Sequence, residues 1–223
     1  MGNALIAYFA AAVVAAAHTA APPSGTTAAL AARPLHGSVI LYSRPNGPRL
    51  VKVGPRGALG GPVVFGVVGV RGRWVEVTSE ALPNGVPGWV RFGRDVSVQP
   101  VRWTLSASLS RRELYVRRDG RLVRTIPVGI GAPDSPTPTG HFAIAEKVSG
   151  AFGPAYGCCI LALTARQPHL PPGWNTRITY YVAIHAGAGQ GSAVSAGCLH
   201  MGEPDVRWLM RTVPLGTPVL IAT

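Results

Sequence analysis

Short apolar runs alternate with polar residues and turn signals along most of this chain, a pattern typical of strands that are buried on one face. Between residues 37 and 100 the runs VILY, VVFGVVGV, RWVEV and GWVR are separated by two PNG turns, at Pro45–Gly47 and Pro83–Gly85. These runs predict a small β-barrel over residues 37–100. The barrel sequence offers no nucleophile with a base beside it, so we expect a targeting or positioning module that is dispensable for turnover of small substrates.

A second set of alternating positions begins at Trp103–Leu109. Further along, Asp119-Gly120 predicts a tight hairpin turn, and the proline-rich stretch Gly131–Gly140 predicts a rigid loop. The apolar residues of Asp205–Val213 recur at helical spacing and predict one short amphipathic helix. The fold class we expect is mainly β: a small β-barrel accessory domain followed by a β-rich domain, residues 103–223, with one short helix.

The first 36 residues have a different composition. The apolar run Ala4–Ala17 ends on an A-x-A pattern and is similar to the core of a signal peptide, although no Lys or Arg precedes it. The following stretch, Ala20–Pro34, is rich in Ala, Pro, Thr, Ser and Gly, and favours a flexible tether. We therefore expect residues 1–36 to be a signal-like segment and linker of an exported protein, with residues 4–17 either cleaved or retained as a membrane anchor.

The charge balance is strongly basic. Lys and Arg number 21 against 9 Asp and Glu, for a formal net charge of +12, which favours contact with polyanions such as an anionic cell wall. The basic residues are scattered from Arg44 to Arg211 without a Lys/Arg block and with few aromatic residues between them, so we expect no nucleic-acid partner. A hydrophobic content of 47% excludes disorder throughout the chain.

Three cysteines are an odd number for an exported chain, so at least one thiol is not part of an intramolecular disulfide. Cys158 and Cys159 lie in the strand-like sequence CCILAL and are predicted to be buried as small apolar residues, with a vicinal disulfide as the alternative. The third cysteine, Cys198, lies in a different setting, the sequence VSAGCLHM behind a glycine-rich loop.

Cys198 and His185 are the candidate reactive pair. His185 ends the β-rich run Ile178–His185, and the loop that follows is short enough to bring it near Cys198 at the start of the next run. A cysteine nucleophile needs such a base, and it needs donors for the oxyanion, which the Gly197 and Cys198 amides are predicted to supply. Taken alone, the pair is explained first by an inert buried cysteine and a hydrogen-bonded histidine, with the reactive pair as the alternative.

The motifs PVGIGAPDSPTPTGHF, IHAG, SAGCLHM and LGTPVLI occur in this order over residues 103–223, and together they resemble the catalytic domain of the YkuD-type L,D-transpeptidases. The resemblance implies that Cys198 is the nucleophile and His185 its base. It places Ser195 and Gly197 at the S-x-G positions that shape the turn before the cysteine. The barrel motifs RGRWVEV and PNGVPGWVR likewise resemble bacterial Src-homology-3-like domains.

Three positions depart from the family pattern. Ala196 stands where the family usually has His, His200 stands where it usually has Arg or Asn, and its I-H-G is I-H-A-G here. We expect His200 to bind a substrate carboxylate when it is protonated. Tyr156 precedes Gly157 as in the family's Y-G, which implies that it lines the groove for the donor peptide.

A zinc site is the rival interpretation of the same residues. On an extended strand Cys198 and His200 share a face, so that with His185 they offer three ligands for Zn²⁺. No H-E-x-x-H motif supports it, and the carboxylates Glu203 and Asp205 are explained by the start of the helix. We therefore predict neither a metal nor a cofactor.

The resemblance implies acyl transfer on peptidoglycan stem peptides. Cys198 attacks a tetrapeptide stem and expels D-alanine, and an amine of a neighbouring stem then takes the acyl group. The family also implies acylation by carbapenem-type inhibitors and a location in the cell wall or periplasmic space. Two alternatives stay open: an L,D-carboxypeptidase, in which water takes the acyl group, and a non-catalytic wall-binding protein with a degenerate site.

Overall fold

The computed structural model describes residues 28–150, 154–171 and 180–223. The signal-like run at residues 4–17 lies outside the described residues, as does the first part of the predicted tether. Within the described ranges, no helix is both long enough and apolar enough to cross a membrane.

The N-terminal part of the described chain is one antiparallel sheet of seven strands in the order β3-β2-β6-β5-β4-β1-β7. The strands are β1 (Ala29–Pro34), β2 (Val39–Tyr42), β3 (Arg49–Val53), β4 (Phe65–Arg71), β5 (Trp74–Thr78), β6 (Gly88–Arg91) and β7 (Val96–Val101). Its core is formed by inward-facing apolar side chains, among them Leu41, Phe65, Val77 and Val90. The resemblance of this region to Src-homology-3-like domains stays a prediction.

The predicted tether is wrong for its last six residues. Ala29–Pro34 form strand β1, which pairs with both β4 and β7. The alanines that suggest a linker are there for close packing: Ala31 and Ala32 are fully buried, and a Cβ placed on Gly216 would lie 2.5 Å from the Cβ of Ala31. Small side chains are needed at this junction, so an alanine-rich composition here reflects tight contact between the two sheets.

The second sheet has eight strands in the order β10-β9-β8-β17-β12-β13-β14-β16, and a separate pair is formed by β11 and β15. The strands are β8 (Trp103–Ser108), β9 (Glu113–Arg118), β10 (Arg121–Pro127), β11 (Ile130–Gly131), β12 (Gly140–Ser149), β13 (Cys159–Arg166), β14 (Tyr181–Ala186), β15 (Ala193–Ser195), β16 (Leu199–Met201) and β17 (Pro218–Ala222), and the one helix is α1 (Glu203–Thr212). The predicted mainly β fold with one short helix is confirmed.

The helix and the hairpin follow from local sequence. Pro204 lies in the first turn of α1, where its missing N–H costs nothing, and Glu203 and Asp205 suit the positive end of the helix. Asp119 and Gly120 both have positive φ, 51° and 78°, as a tight hairpin turn between β9 and β10 requires.

The apolar face of α1 packs on one face of the second sheet and leaves the other face of its central strands uncovered by the helix. Val206 and Leu209 of the helix are fully buried against the large core cluster, which includes Leu161, Ile184 and Leu199 from β13, β14 and β16. Side chains alternate along a strand, so residues 160, 185 and 198 point to the opposite face. That opposite face carries the candidate chemistry.

Candidate functional site

Strand pairing brings Cys198 and His185 onto the same face. β14 and β16 are parallel, with Ile184 opposite Leu199 and His185 opposite His200. Cys198 directly precedes β16 and continues this register, so it is a diagonal neighbour of His185 and shares a face with His200. The structure therefore joins the three residues that the sequence singles out.

His185 lies between two other rings. The centroid of its imidazole is 4.7 Å from that of Tyr156 on one side and 4.5 Å from that of His200 on the other. Tyr156 and Cys198 both pack on the buried apolar residues Ile160, Ala162 and Ala183. Each predicted contact residue, Tyr156 and His200, thus borders the reactive pair directly.

The hydrogen bond of His185 fixes its tautomer. Its Nδ1 lies 2.8 Å from the carbonyl oxygen of Ala186, and because a carbonyl can only accept, Nδ1 carries the hydrogen and donates it. Burial lowers the pKa of His185 to about 4. At neutral pH the ring is therefore neutral, with an unprotonated Nε2 that can accept a proton.

Burial acts on Cys198 in the opposite sense. It raises the pKa of the thiol to about 11, and a backbone hydrogen bond with Ala183 offsets only part of this effect. A neutral thiol beside a neutral imidazole is therefore the resting state. Because the resting pair contains no thiolate and no imidazolium, the thiol proton must move to the imidazole while the sulfur attacks.

The turn before Cys198 is held by Ser195. The Ser195 hydroxyl donates to the Cys198 carbonyl oxygen at 2.6 Å and accepts from the Gly197 N–H at 3.1 Å. Ser195 therefore bridges the two ends of this turn. The Gly197 N–H is engaged by this bond, and the oxyanion role of the Gly197 and Cys198 amides stays a prediction.

Gly197 is required by geometry. Its φ is +110°, in the region that side-chain-bearing residues rarely adopt, and a Cβ there would collide with Nε2 of Gln167. Both facts exclude any residue with a side chain from this position without a shift of the turn.

Gln167 is a residue of the site's framework that sequence reasoning missed. It is fully buried, with 1% of its surface exposed, and its Nε2 donates to the carbonyl oxygens of Ala196, Pro136 and Ser135 at 2.9, 3.1 and 3.2 Å. It thereby ties the proline-rich loop to the turn that carries Cys198. Its position, just beyond the apolar run CILALTAR, carries no local signal for this role.

The charge of His200 depends on its burial. Burial lowers its pKa below the usual 6.5, although a hydrogen bond between Nδ1 and the carbonyl oxygen of Ala188 acts in the other direction. The side chain is therefore neutral at neutral pH. A charge-based contact with a substrate carboxylate, which stays a prediction, is then restricted to acid pH.

The zinc interpretation requires three ligand side chains arranged around one point. Over residues 28–150, 154–171 and 180–223, no group of three or more His, Cys, Asp or Glu side chains is arranged to hold a metal ion.

Cys158 and Cys159 are joined by a vicinal disulfide, which corrects the prediction that both are free apolar thiols. Burial of Cys159 in the main core, as expected for a small apolar residue, is confirmed. The two cysteines lie where the turn that follows the 3₁₀ turn Pro154–Tyr156 leads into β13. Cys198 is thus the free cysteine of the chain.

Comparison with known proteins supports a specific family. The model of the YkuD family, described as the L,D-transpeptidase catalytic domain, matches residues 103–221, which is nearly the whole second sheet with its helix. The YkuD protein of Bacillus licheniformis is 30% identical over 156 residues, covering 66% of this chain and 87% of its own. L,D-transpeptidase 1 of Mycobacterium tuberculosis is 29% identical over 119 residues, and the chain spans only 47% of that longer relative.

Solved structures are similar at lower identity. L,D-transpeptidase 3 of Mycobacterium tuberculosis, in complex with a faropenem-derived adduct, aligns with a TM-score of 0.44 and 17% identity over 67% of this chain and 68% of its own. The L,D-transpeptidase LdtMt1 in complex with imipenem aligns with a TM-score of 0.44 and 22% identity over 71% and 89%.

Proposed function

Since this chain belongs to the YkuD family of L,D-transpeptidase catalytic domains, we propose that it is a peptidoglycan L,D-transpeptidase with Cys198 as nucleophile and His185 as base. The observation that carries the proposal is the diagonal placement of Cys198 and His185 on one face, with Nε2 of His185 unprotonated. We further propose that the protein is exported and acts in the cell wall or periplasmic space. Its net charge of +12 favours contact with an anionic wall.

Acylation begins from the neutral pair. As the Cys198 sulfur forms its bond to the carbonyl carbon of the donor tetrapeptide, the thiol proton moves to Nε2 of His185. The amide bond to the terminal D-alanine then breaks, and the imidazolium gives its proton to the departing amine. D-alanine leaves as a neutral amine that equilibrates with water, and the stem stays on Cys198 as a thioester.

The second half of the reaction transfers the acyl group. An amine of a neighbouring stem attacks the thioester, Nε2 of His185 takes its excess proton, and the Cys198 thiol is restored when that proton returns to sulfur. Water in place of the amine gives an L,D-carboxypeptidase from the same residues. The choice depends on which nucleophile reaches the thioester first, so product analysis distinguishes the two.

The surroundings suit this mechanism. The face that carries Cys198 is lined by Ile160, Ala162 and Ala183, all buried and apolar. An apolar lining of this kind excludes most water, so charge develops at the site only while bonds form and break. Dipoles that point at the developing charge then interact with it strongly. Tyr156 and His200, at the edges of this face, are proposed to contact the donor stem.

The decisive experiment measures D-alanine release from a disaccharide tetrapeptide. Cys198→Ser is expected to lose release almost completely, because a hydroxyl has a far higher pKa than a thiol, and His185→Ala is expected to be nearly inactive. The matched control is the pair Cys158→Ala with Cys159→Ala, which removes both other sulfurs and should keep turnover.

Mass spectrometry with a carbapenem tests the same assignment independently. We expect one adduct on the wild-type protein, on the peptide that contains Cys198, and none on Cys198→Ser. A zinc chelator should leave D-alanine release unchanged. An adduct on another peptide, or full turnover by Cys198→Ser, would end the proposal, and a wild-type protein that binds wall fragments without releasing D-alanine would favour the non-catalytic alternative.

A further inference from the structure

One loop of the N-terminal sheet reaches the face that carries Cys198. Residues 54–64 connect β3 to β4, and Leu59 in this loop packs on the buried apolar residues Ile160, Ala162 and Ala183. Tyr156 and Cys198 pack on the same three residues, and Leu59 is the one contributor from the N-terminal part of the described chain. Its side chain is half-buried.

A buried carboxylate of the second sheet holds this loop in place. Glu146, on β12, has 1% of its surface exposed, and its two carboxylate oxygens accept the N–H groups of Leu59 at 2.8 Å and Gly61 at 2.6 Å. A charged acceptor with two backbone donors makes strong, directional hydrogen bonds. The position of Leu59 is therefore fixed by the catalytic domain itself.

Strand register puts Glu146 in the same row as the nucleophile. Glu146 is opposite Ala162, Ala162 is opposite Ala183, and Cys198 continues the β16 register opposite Ala183. Residues opposite one another on neighbouring strands share a face. The row from Glu146 to Cys198 thus crosses three strand spacings of about 4.8 Å, or roughly 14 Å, and Leu59 lies over its apolar middle.

A second contact between the two sheets makes the attachment rigid. The side-chain amide of Asn84 donates to the carbonyl oxygen of Arg166 at 2.6 Å and accepts from its N–H at 2.8 Å. The Arg166 side chain in turn donates to the carbonyl oxygen of Glu80 at 2.7 Å. Arg166 precedes Gln167, the residue that holds the Cys198 turn, so the N-terminal sheet is clamped next to the site at two separate points.

We propose that Leu59 is a donor-binding residue: together with Tyr156 it forms the apolar wall against which the aliphatic part of the acyl-donor stem lies beside Cys198. Glu146 is the positioning residue that holds this wall through the backbone of the loop. This inference rests on the proposed function for the identity of the donor. It also reverses the expectation that the N-terminal module is dispensable for small substrates, since the module supplies one side of the cleft.

Steady-state kinetics of D-alanine release test the wall. Leu59→Ala is expected to raise KM for the disaccharide tetrapeptide about tenfold, the effect of losing most of one leucine contact, with kcat changed by less than about threefold because the reacting groups are untouched. The matched control is Leu50→Ala, the same change at a leucine of the same sheet that is 42% exposed, and it should leave KM unchanged.

Glu146→Gln keeps the size of the side chain but replaces the charged acceptor, so the loop is held less firmly. It should raise KM in the same direction, and Leu59→Ala with Glu146→Gln together should be no worse than Leu59→Ala alone, because both act through one wall. Additive effects of the two changes would overturn the role assigned to Glu146.

Calorimetry separates this inference from the proposed function. In the Cys198→Ser background, which needs no turnover, the disaccharide tetrapeptide should bind about tenfold more weakly when Leu59 is replaced by alanine. Equal affinities, or no binding with Leu59 present, would refute the wall even if the wild-type protein releases D-alanine. Weaker binding of the alanine variant in a protein that releases no D-alanine would preserve the wall and refute the enzymatic proposal.

Discussion

The protonation state of Cys198 can be tested by the pH dependence of its alkylation. Burial raises the pKa of this thiol from 9.0 to about 11. At pH 7 the thiolate fraction then falls from about 1 in 100 to about 1 in 10,000. A thiolate of higher pKa is intrinsically more nucleophilic, and for a pKa difference of about two this recovers about eightfold of the lost alkylation rate. Iodoacetamide should therefore react with the folded protein at least about tenfold more slowly than with the urea-unfolded chain.

The slope of the profile is the sharper measurement. The logarithm of the alkylation rate should rise by one per pH unit from pH 6 to about 9.5, with no plateau, because the thiol stays mostly protonated throughout. Intact-mass spectrometry gives the rate, since Cys198 is the free cysteine of the chain.

His185→Ala is the informative control for this profile. If the resting pair is neutral, the variant should alkylate at pH 9 within about threefold of wild type while losing D-alanine release, because the base acts only on substrate. A plateau with a midpoint below pH 8 in the wild-type protein, abolished by His185→Ala, would mean that a thiolate and imidazolium are stored at rest. That result would refute the neutral-pair mechanism.

Three further predictions concern the site. Burial lowers the pKa of His185 from 6.5 to about 4, so between these pH values the unfolded chain binds a proton at this residue and the folded chain does not. The free energy of unfolding should therefore fall by about 3 kcal/mol between pH 7 and pH 4. Urea titrations of His185→Gln should lack this part of the pH dependence. Gly197→Ala should lower kcat/KM at least about 100-fold, since the turn must shift away from Gln167, and wild-type kcat/KM would contradict this. Burial lowers the pKa of His200, so the charge-assisted part of wild-type activity should be present at acid pH and be lost as the pH rises through that lowered pKa, and His200→Arg should flatten that limb; identical profiles would refute a carboxylate contact.

Local patterns in the sequence were sufficient to predict the elements that carry the reactive pair. Alternation and turn signals predict the hairpin at Asp119-Gly120, the helix behind Pro204 and the runs that end at His185 and begin at Cys198. Because side chains alternate along a strand, the shared face of Cys198 and His200 also follows from spacing alone. Residue spacing does not predict which strands pair. The parallel pairing of β14 with β16 is what places His185 next to Cys198.

The residues that sequence reasoning missed act over long distances in the chain. Gln167 contacts Ala196 across 29 positions, and Glu146 contacts Leu59 across 87. No local pattern marks a residue whose role depends on a partner so far away. The charge states of the site were also out of reach, because the pKa of a histidine or thiol depends on how completely the folded chain excludes water.

The same contacts that shape the cleft also set its chemistry. Cys198 and Leu59 pack on the same buried residues, Ile160, Ala162 and Ala183, so the proposed wall also covers apolar surface beside the thiol. The residues proposed to bind the aliphatic part of the stem, Leu59 and Tyr156, would then also exclude water from the space beside Cys198. Removing the proposed wall is expected to weaken binding of the donor, because apolar contact is lost, and to ease ionisation of the thiol wherever the sulfur gains water. A module that only tethered the enzyme to its substrate would change neither step for a soluble stem, so these two measurements test whether the N-terminal sheet contributes to the active site.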